Sequence, residues 1–140
     1  MKFAAILLLA AMALSGNVEA VKQEQNLERR SDLALNYADD KLDAAKELYE
    51  KGQSAAFVAS LTEMIELVDL SYKSLQDSGK RARRSPKYFK RAETKIRALV
   101  RRLDTLEIEM STEDRPPVAD AKKHLRDVND QIVHDIMSKK

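Results

Sequence analysis

The chain has 140 residues, a formal net charge of +2, 34% charged and 44% hydrophobic residues, and no cysteine. That balance excludes a disordered chain and a bundle of membrane-spanning helices, and the lack of thiols excludes a disulfide framework, thiolate metal sites, c-type haem and cysteine nucleophiles. Three glycines, three prolines and no tryptophan, with abundant Ala, Leu, Lys, Arg, Asp and Glu, predict an all-α chain.

Residues 1–20 read as a cleavable secretory signal peptide. Lys2 supplies the positive start, Phe3 to Leu14 an apolar run of 12 residues, and Val18-Glu19-Ala20 a small-x-small site that places cleavage after Ala20. A run of that length is too short for a bilayer, which needs about 20 residues, so no transmembrane segment is expected after cleavage. The expected location is the periplasm or the secreted medium of a bacterium.

Residues 21–30 offer only Leu27 for burial and are expected to be poorly ordered or a frayed start of helix one, with Ser31 as its cap and Asp32 in its first turn. From there Leu35, Ala38, Leu42, Ala45 and Tyr49 (or its neighbour Leu48) recur at helical spacing, and Gly52 stands where a left-handed terminating residue belongs. Helix two is expected over 54–77, burying Phe57, Leu61, Met64, Ile65, Val68, Tyr72 and Leu75, with Gly79 as its stop. The connection between these two is short enough to make them an antiparallel hairpin.

Residues 78–85 form the longest break. The strongest periodicity follows it: Phe89, Ala92, Ile96, Leu99, Leu103, Leu106 and Met110 alternate spacings of 3 and 4 and fall on one helical stripe. Ser85 and Pro86 suit the N-cap and first helical positions. Residues 112–117 turn the chain, and Val118, Ala121, Leu125, Val128, Ile132 and Ile136 give a last stripe. Residues 31–140 are therefore expected to form one antiparallel up-down bundle of four helices. A tetratricopeptide-like solenoid is the competitor, set back by its 34-residue period and by the lack of a second copy of its pattern.

Charge is distributed unevenly. Residues 80–102 hold eleven bases and one acid, Glu93, whereas 39–50 hold five acids and two bases, and 53–77 hold four acids and one base. One reading is a solvated helix face paired internally. The other is a footprint for an anionic partner, an envelope component or a protein, with Lys80, Arg81, Arg83, Arg84, Lys87, Lys90 and Arg91 as the binding residues. Nucleic acid fits poorly, because the patch offers just Tyr88 and Phe89 for stacking and Phe89 belongs to the core stripe. A membrane-surface helix is disfavoured because the apolar face of helix three is needed inside the bundle.

On the last helix Asp120, His124, Asp127, Gln131 and His134 share one face, but the two histidines are separated by about 15 Å of helix and cannot hold one ion. A non-covalent haem would need an axial His and Met inside the core, and Met64 and Met110 on their stripes read as packing residues instead. Neither metal nor cofactor is expected. The chain carries no serine elbow, Gly-rich phosphate loop or carboxylate pair on facing apolar stripes, so no enzymatic activity is expected. The acidic row Asp40, Asp43, Glu47 and Glu50, interspersed with Lys41, Lys46 and Lys51, reads as a solvated face. The function expected is an exported, non-enzymatic binding or structural module; the alternative is a protein-interaction module or helical oligomer.

Overall fold

In the computed structural model, residues 18–138 are described. The positive start and apolar run of the signal-peptide reading lie outside them. Residues 18–23 are helical and place Val21 in the core with 0% exposure. After a break over 24–26, the Asn26 side chain accepts a hydrogen bond from the Arg29 N–H at 3.0 Å and starts α1, Leu27–Glu50. The cap is therefore Asn26 and not the expected Ser31, and within the stretch expected to be loose or frayed residues 24–26 are the non-helical part. Arg30 Nε donates to the Glu24 carbonyl at 2.7 Å, and Ser31 is buried with its hydroxyl 2.7 Å from that of Ser71.

α1 ends as expected at Gly52. Its φ of 73° is one that residues with a Cβ adopt at a cost, and the Gly52 and Gln53 N–H groups donate back to Tyr49 and Leu48 carbonyls. The reversal leads directly into α2, Ser54–Asp77. α3, Lys87–Glu109, begins after Pro86, which takes the N-cap position; Ser85 supplies no side-chain cap, so that expectation is also corrected. A 3-10 turn, Thr112–Asp114, precedes α4, Pro116–Met137, which opens on its prolines, where the missing N–H groups have no helical partner to lose. Tyr49 fastens this turn to the end of α1: its hydroxyl donates to Asp114 Oδ2 and accepts from the Ser111 N–H, each at 3.2 Å.

The fold is an all-α bundle of these four helices, with no strand among the described residues. All seven stripe residues of α3 are buried, joined by Val100. α1 and α2 form the closest pair, because the facing rows are built from small residues. Ser31, Ala34, Ala38 and Ala45 lie on one side and Ser60, Ser71 and Ser74 on the other, all buried. The Ser60 hydroxyl donates at 2.7 Å to the backbone carbonyl of Lys41, a bond that requires the helix backbones to approach.

The two hairpins stack with like helices side by side: α1 lies against α3 and α2 against α4, while α2 and α3 touch only slightly across the diagonal. Cross-helix partners confirm the parallel register. Lys95 meets Asp32, Arg102 meets Asp39 and Tyr72 meets Asp135, each pair 63 residues apart in the chain. The connection over 78–86 therefore crosses one end of the bundle, where α1 and α3 begin and α2 and α4 finish. The other end carries the Gly52 reversal and the 110–115 turn.

Candidate functional site

The crossing connection is the only long irregular segment among the described residues that joins two of the four helices. Gly79, at φ 71°, ends α2, and the Lys80 N–H donates to the Ser78 hydroxyl at 3.3 Å. The Arg84 and Ser85 N–H groups donate to the Arg81 carbonyl at 3.1 and 2.9 Å, which curls the segment into a turn. Ala82 is 5% exposed and anchors that turn in the core. Arg81, Arg83 and Arg84 flank the anchor and remain exposed, because a guanidinium has no counter-charge to meet inside an apolar core.

The basic run divides in two. From Arg91 onward, apart from the exposed Arg101, the bases lean on the acids of α1 or on their own helix. Arg91 Nε and Lys95 Nζ lie 2.9 and 2.7 Å from Asp32 Oδ1, Lys95 also donates to Asn36 at 2.9 Å, and Arg102 pairs with Asp39 and Asp43. Arg97 meets Glu93 one turn back at 3.2 Å, and Lys80 pairs with Glu28 at the start of α1. Such surface pairs contribute roughly 0 to 1 kcal/mol each, but they neutralise this stretch.

The remainder is different. Arg81, Arg84, Lys87 and Lys90 are exposed and form no ion pair among the described residues, with Lys87 resting 5.5 Å from the Tyr88 ring centroid. Arg83 has an interaction partner. Of the seven expected binding residues, Lys80 and Arg91 are therefore committed to α1, Arg83 is engaged, and four carry uncompensated charge at one end of the bundle.

Beside the loop is an open cleft of about 410 Å³ lined by Gln76, Lys80, Arg81, Arg83, Phe89 and Asp135. Its one carboxylate is held in place, since Asp135 accepts from the Tyr72 hydroxyl and, at 3.0 Å, from Gln131 Nε2. Burial, reinforced by the Asp135 charge, holds the Tyr72 phenol above its ordinary range and keeps it a neutral donor. Of the bases lining it Lys80 pairs with Glu28 and Arg83 is engaged, so the cleft sets one uncompensated cation, Arg81, beside the fixed Asp135 acceptor and the Phe89 ring.

Two members of the polar row of α4, His124 and Gln131, make side-chain contacts, while Asp120, Asp127 and His134 are exposed. His124 Nε2 lies 2.7 Å from Asp69 Oδ1 on α2, and Gln131 bonds Asp135. No group of three or more His, Cys, Asp or Glu side chains suited to a metal ion occurs among the described residues. Met64 and Met110 are buried, whereas His134 is exposed and His124 half-buried.

Two charged contacts escaped the sequence reading. Lys41, assigned there to a solvated face, is 5% exposed and pairs with Glu63 between α1 and α2. Its position in the row Ala34, Ala38, Lys41, Ala45 was the available signal. Lys122 on α4 bridges Asp104 and Glu107 on α3 at 2.6 and 2.9 Å.

The chain matches no known protein family, no curated protein and no solved structure.

Proposed function

We propose that this chain is an exported, non-enzymatic helical-bundle protein of the bacterial envelope that binds an anionic partner through the loop and first turn of α3. The observation that carries the reading is the division of the basic run. Where α1 offers acids the bases are paired, and Arg81, Arg84, Lys87 and Lys90 gather without acids at the end of a rigid bundle. Four like charges on a short segment repel one another, and an anionic partner relieves that repulsion. Arginine adds bidentate geometry toward phosphate or carboxylate oxygens, and the Phe89-floored cleft beside it excludes water from one side of the contact. No helix among the described residues is long and apolar enough to cross a membrane, so contact with a lipid surface would be peripheral.

Co-sedimentation with vesicles tests the reading. The protein is expected to pellet with vesicles rich in anionic lipid at about 0.01 M salt, to release at about 1 M, where the screening length shrinks to about 3 Å, and to ignore zwitterionic vesicles. Equal binding to both vesicle types would refute it. The export half is tested by N-terminal sequencing of the protein recovered outside the cytoplasm, with Val21 as the expected first residue.

A further inference from the structure

The net charge of +2 conceals a strongly polar molecule. Residues 80–102 carry +10, and residues 103–114, which finish α3 and form the next turn, hold five acids and no base. At the far end of the bundle Glu50, Glu109, Glu113 and Asp120 are exposed and form no ion pair among the described residues. They mirror the four uncompensated cations of the loop. This end carries bases too: Lys46 and Lys123 are exposed, Lys51 pairs with Glu47, and Arg115 donates to the Met110 and Ile108 carbonyls, so its acidity is a partial excess.

The opposite ends cannot neutralise each other within one molecule. A helix of 24 residues is about 36 Å long at 1.5 Å rise, several times the screening length of about 10 Å at 0.1 M salt. Only a second molecule brings the two ends together.

Apolar exposure points the same way. The exposed large hydrophobic residues among those described are Val58, Ile108 and Met137, and all lie near helix ends. Met137, 75% exposed, ends α4 beside the basic loop; Ile108, 76% exposed, and Val58 stand at the acidic end. There a groove of about 320 Å³ runs between α2 and α4, lined by Val58, Leu61, Ile65, Pro116 and Pro117 with Asp120 at its rim. A methionine, unbranched and polarizable, suits an irregular groove of this kind.

We propose that copies of this chain associate head to tail, the basic end of one (Arg81, Arg84, Lys87 and Lys90, with Met137) docking on the acidic, grooved end of the next. The contact is heterologous, joining two different patches, so it propagates into chains unless a rotation closes it into a ring. It shares the basic loop with the function proposed above but uses the opposite end as well, and it requires no lipid.

Sedimentation velocity of the full chain and of two variants decides the matter. The wild type is expected to grow in mass with concentration at about 0.01 M salt and to return to monomer at about 1 M. Arg81→Glu with Arg84→Glu, and separately Glu109→Lys with Glu113→Lys, are expected to remain folded monomers alone, each having cancelled the charge of one end against the two like charges left there while keeping its other end unchanged. Mixed in equal amounts, the variants are expected to associate again, because each then meets a complementary end. Circular dichroism confirms that both variants fold, since all four positions are exposed. A wild type that stays monomeric at low salt overturns the proposal, as does a mixture of folded variants that stays monomeric. The Glu109→Lys, Glu113→Lys variant keeps its basic loop and is expected to retain vesicle binding, so a failure of assembly and a failure of anion binding are told apart.

Discussion

Across the α1–α2 interface Lys41 Nζ stands 3.5 Å from Glu63 Oε2, the two side chains being 7% and 16% exposed. The pair is close enough for Coulomb attraction, but Glu63 Oε2 accepts no hydrogen bond. Burial pushes the Glu63 carboxyl above its ordinary range and the Lys41 charge opposes that only in part. An ion pair so placed stabilises little, whereas half of it is worse than none.

Lys41→Met is expected to lose about 3 kcal/mol at neutral pH, because a desolvated carboxylate keeps no counter-charge. Lys41→Met combined with Glu63→Leu is expected to equal or exceed wild type. Urea unfolding of the three proteins measures both effects, and a single variant as stable as wild type would contradict them.

The raised Glu63 value fixes a sign. Folding favours the protonated carboxyl, so its contribution is full below the ordinary value of 4.5 and is lost as pH rises through the folded one. Glu63→Gln, which stays neutral throughout, is therefore expected to gain on wild type as pH rises from below 4.5 toward 7. Unfolding curves across that window check it; a constant difference would count against the assignment.

Lys122 titrates in the opposite region. Its hydrogen bond to Asp104 and its ion pair with Glu107 raise its value above 10.5 against the opposing effect of burial. The stabilisation is present below the unfolded value and lost as pH climbs through the folded one. Lys122→Met is expected to lose about 1 to 3 kcal/mol near neutrality, and its deficit against wild type is expected to close in strongly alkaline solution.

Gly52→Ala isolates a backbone effect. A Cβ there meets nothing within 4 Å, so a φ of 73° is the sole difficulty. Thermal unfolding is expected to show a loss of about 1 to 2 kcal/mol, and no loss would mean the turn relaxes to another conformation.

Leu103→Ala and Ile96→Ala test the core stripe. Both residues are 0% exposed on α3, and each truncation is expected to cost about 2 to 5 kcal/mol. Ile108→Ala on the same helix, 76% exposed, is expected to change monomer stability by no more than about 0.5 kcal/mol.

These same residues mark what the sequence reveals. The α3 stripe and that of α4 were legible because spacings of 3 and 4 carry apolar side chains toward the core and charged ones away. Leu67, buried on α2, and the serines at 60, 71 and 74 were not, since hydroxyls resemble a solvated face until a second helix covers them; Ser60 and Ser71 then hydrogen-bond across to α1, and Ser74 donates to the Leu70 carbonyl of its own helix. Asn26 and Ser31 offer equivalent capping chemistry, and only burial of Ser31 against Ser71 separates them. The neighbour order of the helices was hidden because a connection over 78–86 can run along one edge of a bundle or across its end. That crossing places α3 beside α1, and so determines which bases find acids. The candidate loop was visible as charge, but its division into paired and unpaired members depends on the α1–α3 register.

The most direct measurement compares vesicle binding by two charge-reversed proteins of equal net charge. One carries Glu at Arg81, Arg84, Lys87 and Lys90; the other carries Glu at the α1-paired Arg91, Lys95 and Arg102 and at Arg97. With circular dichroism confirming both folds, the loop variant is expected to lose binding to anionic vesicles while the helix variant retains most of it. Equal losses in the two proteins would show that net charge alone governs association and would contradict the account.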